Sequence, residues 1–363
     1  MSEDCLSLTE PFLHPVRRGA LRDAGELLRK VARPCSGIYV VHDSNVLWVV
    51  REIEAVLEPS AVLSLDISEK TKTLGTVEGV CRWLLENGAD RNSFVVAVGG
   101  GVTTDLVGFA ASVFMRGVRF AFLPTTLLAQ VDASIGGKTG VDLDSLKNMI
   151  GVFRPCELTF ICPEVLETLE YSEITGGASE LFKSFIIDNG SGGYSKALDF
   201  FRRLREAASS GSVKSFLKDN SDSLQGIISS AASVKSAIVG RDPYESGERR
   251  VLNLGHTFAH AIEKASSSEI SHGEAVAMGM ILAARLSERL GLADAGYASV
   301  MEDDFSSCGL MTVCPFSVTS LVDAMSSDKK SSGDQISFIL PERVGSVVIR
   351  PLTAGRAAAL LTD

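Results

Sequence analysis

Histidine is scarce in this chain, with five in 363 residues, and tryptophan scarcer still, with two. The seven cysteines, at 5, 35, 81, 156, 162, 308 and 314, are odd in number and include no C-x-x-C pair. Neither a disulfide framework nor a thiolate metal site is therefore expected. Lysine and arginine number 35 against 45 acids, a net charge of −10, and no long basic run occurs, which argues against a duplex nucleic acid or an anionic membrane surface as partner. The longest apolar run, AVAMGMILAA, is too short to span a bilayer. The start, MSEDCLSLTEPFLHP, carries acids where a secretory signal needs basic residues. A cytoplasmic location is the expectation. At 45% hydrophobic and 22% charged, the chain has material for one large or two medium cores.

Up to about residue 160, short β-rich runs alternate with helical segments: GIYVVHD, AVLSLD, FVVAVGGG, VRFAFLP and ELTFIC. Such alternation predicts parallel βαβ units, and nearly continuous apolar strands predict a sheet covered on both faces. From about Gly176 the strand signals stop and helical patterns run to about residue 310, with QISFIL and SVVIR closing the chain. The expected architecture is an α/β nucleotide-binding domain with a parallel sheet over residues 1–172, then a mainly α-helical metal- and substrate-binding domain over residues 173–363.

What histidine there is falls together. His256, His260 and His272 lie in VLNLGHTFAHAIEKASSSEISHGEAVAMGM. His256 and His260 are four apart in a segment of helical apolar periodicity, so both project from one face. His272 follows across a Ser-rich turn and opens a second apolar helix. A single histidine in an apolar helix is ordinarily a core residue bonded to a carbonyl, but three would leave several polar nitrogens to satisfy. Two imidazoles from adjacent helices plus a distant carboxylate would make an open, three-ligand catalytic zinc site. The protease pattern H-E-x-x-H is absent, because Thr257 follows His256.

Other constellations are weaker alone. Gly99, Gly100 and Gly101 follow a strand and precede a helix containing Asp105, a turn that lets backbone approach a phosphate or is merely tight. Asp43, Asn45, Glu69 and Lys72 follow strands where doubly wound sheets collect ligands. Thr125, Thr126, Asp132, Lys138, Lys147 and Asn148 gather around a Gly-Gly-Lys turn, suited to an anion pocket. Glu180 sits among apolar neighbours three residues from Lys183, where a metal would supply counter-charge. Glu245, Arg249 and Asn253 precede His256, and Lys235, Lys329 and Lys330 add positive charge.

The strings VGGGVTTDLVGFAASVFMRGVRF, LPTTLLAQVDASIGGKTGVD, KNMIGVF, ASELFK, LNLGHTFAHAIE and HGEAVAMGM recur in the same order in one family. From about residue 40 to 340 the chain resembles the 3-dehydroquinate synthases, among the sugar phosphate cyclases. The resemblance implies zinc or cobalt held by Glu180, His256 and His272. It implies NAD on Asp43, Asn45, Glu69, Lys72, Gly99, Gly100, Gly101, Asp105, Thr125, Thr126, Lys147 and Thr168. It puts Asp132, Lys138, Asn148, Lys183, Lys235, Arg249, Asn253, His260, Lys329 and Lys330 around the substrate, with an acid/base role for Glu245. Arg116 would reach in from the partner of a homodimer.

The implied substrate is 3-deoxy-D-arabino-heptulosonate 7-phosphate, a small sugar acid phosphate. Its conversion to 3-dehydroquinate runs through transient oxidation by NAD, β-elimination of phosphate, re-reduction and intramolecular aldol closure. Another sugar phosphate cyclase and a metal-dependent polyol dehydrogenase are the alternatives. Thr104 stands where the family usually has glycine and Asp142 where it often has asparagine, the 153–158 loop is short, and YSEITGGASE lacks the common Pro/Arg pattern. These departures bear on cofactor affinity, not on the reaction.

Overall fold

The protein is described from a computed structural model covering residues 16–144, 146–190, 192–267, 269–327 and 335–362. Lys329 and Lys330 lie outside the described residues. The chain forms two compact units, residues 1–169 with 217–244, and residues 170–216 with 245–363. Where sequence patterns suggest a single cut near residue 172, the helix Ser221–Arg241 groups with the first unit. It buries Leu224, Ile227, Ile228, Ala231 and Ala232 and packs on the turns at Ala129–Ala133 and Pro163–Thr168.

The first unit is built on β1 (Val16–Arg18), β2 (Ile38–Asp43), β3 (Ala61–Leu65), β4 (Phe94–Gly99), β5 (Arg119–Pro124), β6 (Lys138–Leu143), β7 (Leu146–Phe153) and β8 (Leu158–Ile161). Six of these form an all-parallel sheet in the order β1-β8-β5-β4-β2-β3. The central strands IYVVHD and FVVAVG are buried almost throughout, as strands covered on both faces must be. Edge strand β3 alternates between half-buried and exposed positions. Val41, Val95, Ala97, Phe120 and Phe122 pack with Leu106, Val107 and Ala110 of the helix Gly101–Val113 in the core.

The other two strands, β6 and β7, make an antiparallel hairpin, with Lys138 opposite Phe153 and Thr139 opposite Val152. The region read from sequence as a lysine-bearing turn is thus mostly extended. Its glycines still matter, because a Cβ on Gly151 would lie 2.4 Å from the Thr139 carbonyl oxygen.

In the second unit the helices Tyr171–Ile187, Gly193–Ser209, His256–Ala265, His272–Arg289 and Tyr297–Ser307 accompany a hairpin of β9 (Ile336–Arg343) and β10 (Ser346–Leu352). Phe182 packs its ring against Tyr194, Phe201 and Phe305, with centroids 5.4 to 5.8 Å apart. This aromatic core holds the helix carrying Glu180. Among the described residues no helix is long and apolar enough to cross a membrane.

Candidate active site: a histidine-carboxylate cluster and a strand-end crevice

Two glycine contacts bring the histidines to Glu180. The helix Tyr171–Ile187 meets His272–Arg289 at Gly176 and Gly273, where a Cβ on Gly273 would lie 2.2 Å from the Gly176 carbonyl oxygen. Glu180 is one turn beyond Gly176, and His272 is next to Gly273, so this close approach places them side by side. Gly255, at φ +80°, caps the start of His256–Ala265, and a Cβ on Gly279 would meet its carbonyl oxygen at 2.3 Å. Ser271 and Glu274 close a reciprocal capping box on the helix that begins with His272, so the Glu274 carboxylate is used in capping.

The Nε2 atoms of both histidines face the same carboxylate oxygen, Glu180 Oε1, at 3.6 Å from His256 and 3.4 Å from His272. Their potential ligand atoms all lie within 4.8 Å of one another. Zinc bonds of about 2.0–2.1 Å in tetrahedral array separate ligand atoms by roughly 3.3 Å, so these residues fit a divalent ion and leave one position open. Glu180 is fully buried and pairs with the buried ammonium of Lys183. Burial, reinforced by Lys183, pushes His256 down to about 3. At His272 burial pulls the same way, but hydrogen bonds and charge from Glu180 and Glu263 outweigh it and hold the ring at about 9. Burial thus favours at His256 the neutral form a metal requires.

Arg249 is buried in the short 3₁₀ helix Glu248–Asn253, which ends before Gly255 and does not run on into the His256 helix. Glu245 has a left-handed backbone, φ 59°, and its Oε1 accepts from Asn253 Nδ2 at 2.6 Å. His260 is exposed, with its ring centroid 5.6 Å from that of His256.

In the first unit the strand order reverses between β2 and β4, because β3 lies outward of β2 while β5 and β8 follow on the other side of β4. Ligands of such sheets bind beyond the carboxyl ends at this reversal. Asp43 ends β2 and Gly99 ends β4, with Gly100 and Gly101 leading into a helix. Asp43 Oδ1 accepts from both the backbone and the side-chain nitrogen of Asn45 at 3.0 Å. Thr125 is buried and bonds by its amide to the Gly99 carbonyl, and Thr126 Oγ1 accepts from the amide of Ala129.

Lys72, 5% exposed, donates to Asp105 Oδ2 and Asn148 Oδ1, each at 2.6 Å. Burial raises the Asp105 carboxyl despite the opposing charge of Lys72. A residue expected at the substrate, Asn148, is thus joined to two expected at the cofactor. Lys235, from the returning helix, pairs with Asp132 and also donates to its carbonyl at 2.7 Å. Lys138 is exposed over the Phe153 ring, 5.8 Å from its centroid. Glu69, Lys147 and Thr168 are exposed. Arg116 is exposed too, and Met115, Arg116 and Gly117 all have positive φ, at 49°, 70° and 112°.

Two participants escaped the sequence reading of the site. Glu263, 5% exposed, faces His272 Nδ1 at 3.5 Å. Its signal was a lone acid two helical turns after His256 and three residues after His260, on the face that carries both histidines. Asp142, noted only as a departure, accepts the amide of Asn148 at 2.7 Å and donates its own amide to the Lys72 carbonyl. Thr104 causes no visible disturbance, since its hydroxyl bonds back to the Gly101 carbonyl at 2.9 Å.

The profile of the 3-dehydroquinate synthase N-terminal domain matches residues 62–176, and that of the C-terminal domain matches residues 179–331. A 3-dehydroquinate synthase of Streptococcus pneumoniae is 36% identical over 350 residues, covering 94% of each chain. That of Alkaliphilus metalliredigens is 40% identical over 295 residues, 81% of this chain and 79% of its own length. In structure the chain is similar to 2-epi-5-epi-valiolone synthase from Streptomyces hygroscopicus, solved with NAD⁺ and Zn²⁺ bound, at TM-score 0.80 and 25% identity over 98% of both chains. By both halves of its sequence and by relatives that span nearly its whole length, this chain belongs to the 3-dehydroquinate synthase family of enzymes.

Proposed function

We propose that the chain converts 3-deoxy-D-arabino-heptulosonate 7-phosphate into 3-dehydroquinate and inorganic phosphate, as a carbon-oxygen lyase using NAD catalytically and a divalent metal ion, zinc or cobalt. The observation that carries this reading is the convergence of His256 and His272 Nε2 on one oxygen of buried Glu180, in a chain of this family. A bound metal would act as a Lewis acid, lowering the pKa of substrate hydroxyls at its open position.

The chain's own groups supply the rest. Arg249 and Lys235 suit the substrate carboxylate: Arg249 is buried, and a guanidinium grips a carboxylate in two places. Lys138, Asn148, Asn253 and His260 suit the phosphate, and either Lys329 or Lys330 joins them in this reading. Lys183 places positive charge beside the metal ligands, where substrate hydroxyls would lose protons. Glu245, held by Asn253, is the acid/base. The reversal between β2 and β4 suits NAD, with Asp43, Asn45, Glu69, Lys72, Gly99, Gly100, Gly101, Asp105, Thr125, Thr126, Lys147 and Thr168 as its binding residues in this reading.

The exposure and unusual backbone of Arg116 support its delivery to the other subunit of a homodimer. Thiols at 35, 81, 156, 162, 308 and 314, none of them in a disulfide among the described residues, support a reducing, cytoplasmic setting.

The test is incubation of purified protein with the heptulosonate phosphate and NAD, with and without a chelator, following phosphate, dehydroquinate and NADH together. Chelator-sensitive release of phosphate and dehydroquinate without NADH accumulation is the expected result. Net NADH without phosphate release would make the chain a polyol dehydrogenase instead.

A further inference from the structure

A neutral imidazole has one nitrogen that donates and one that accepts. To offer the Nε2 lone pair to a metal, a histidine must carry its proton on Nδ1, and that N–H needs an acceptor. His256 has one nearby in its own chain, the Leu254 carbonyl oxygen, 3.2 Å from Nδ1. His272 opens its helix, and the acceptor facing its Nδ1 is the Glu263 carboxylate, 3.5 Å away on the neighbouring helix. The Glu263 side chain is only 6% exposed, and burying a carboxylate is costly unless a fixed positive partner compensates it.

We propose that Glu263 is a positioning residue of the metal site, holding Nδ1 of His272 so that Nε2 points at Glu180 and strengthening that ring as a ligand. A carboxylate behind a ligating imidazole fixes its tautomer and orientation and raises its basicity. The two histidines then differ in kind: His256 is backed by a neutral carbonyl and His272 by a charge. This inference rests on the metal-site reading above.

The test uses the full chain stripped of metal with a chelator, then titrated with Co²⁺ or Zn²⁺ against a chromophoric competitor. Wild type is compared with Glu263→Gln, which keeps the shape and one acceptor oxygen but removes the charge, and with Glu263→Ala. Wild type should take up one equivalent. Glu263→Gln should bind about tenfold more weakly and Glu263→Ala up to about 100-fold, with a changed visible Co²⁺ spectrum in both. Wild-type affinity and spectrum in Glu263→Gln would overturn the inference, and that variant decides alone should Glu263→Ala not fold. A wild type that binds no metal would instead remove the metal site itself, a failure distinct from the first.

Discussion

The two units gather their functional groups by different means. In the first, topology does it: a parallel sheet whose strand order reverses leaves Asp43 and Gly99 at adjacent strand ends. In the second, a close contact does it: Gly176 against Gly273, and Gly255 against Gly279, press helices together until side chains far apart in sequence converge. A site made by topology tolerates change in individual side chains. One made by glycine contacts is sensitive to a single methyl group.

That contrast can be broken most severely at the cluster. His272→Ala should eliminate bound metal and lower kcat by roughly 10³-fold or more, because an electrostatic stabiliser of the reacting centre is lost. Metal analysis of the purified variant reads this directly, and unchanged metal content would remove His272 from the ligand set.

Gly273→Ala should come next. Its methyl group would meet backbone, which cannot turn aside, so a cost of about 1–3 kcal/mol in stability is expected together with a loss of metal. Gly100→Ala is the counterpart in the first unit, since the atoms nearest its methyl would belong to the Thr126 side chain, from 3.0 Å. Thermal melts should separate the two, and equal destabilisation would erase the distinction between the units.

Lys138→Ala should raise KM for the phosphorylated substrate by about 10–100-fold while leaving metal content alone, the usual scale for a lost hydrogen bond to a charge. A variant with normal KM and kcat would remove Lys138 from the pocket. The smallest effect is on thiol chemistry. Burial pushes Cys156 and Cys162 in the first unit up to about 12, and Cys308 in the second up to about 11. At about pH 8 a thiol of pKa near 12 is about 10⁻⁴ thiolate and one near 11 about 10⁻³, so all three should resist alkylation until their unit opens. In Gly273→Ala, mass spectrometry along a denaturant series should find Cys308 labelled earlier than in wild type, with Cys156 and Cys162 unmoved.

Much of the architecture was readable because strands such as IYVVHD and FVVAVG are buried on both faces and therefore continuously apolar. The hairpin β6–β7 was not, since Leu146, Met149 and Phe153 stand exposed and its glycines mimic a loop. The histidine cluster was legible from scarcity and spacing, and Glu180 from its apolar surroundings. Glu263 was hidden because an acid near the end of a short helix reads as a solvated residue until its burial is known. Asp142 was hidden because its contacts, the amide of Asn148 and the carbonyl of Lys72, are made with backbone.

The helix Ser221–Arg241 sets an order of events for a chain emerging from the ribosome. The first unit lacks Lys235, and the apolar residues that cover the 129–133 and 163–168 turns, until well over half the protein has been made. Its completion waits on a stretch, residues 170–216, that belongs to the other unit. Release of a prematurely terminated chain near residue 172 would therefore yield a first unit whose 129–133 and 163–168 turns lack their apolar cover and whose Asp132 lacks Lys235, a species suited to aggregation rather than to partial function.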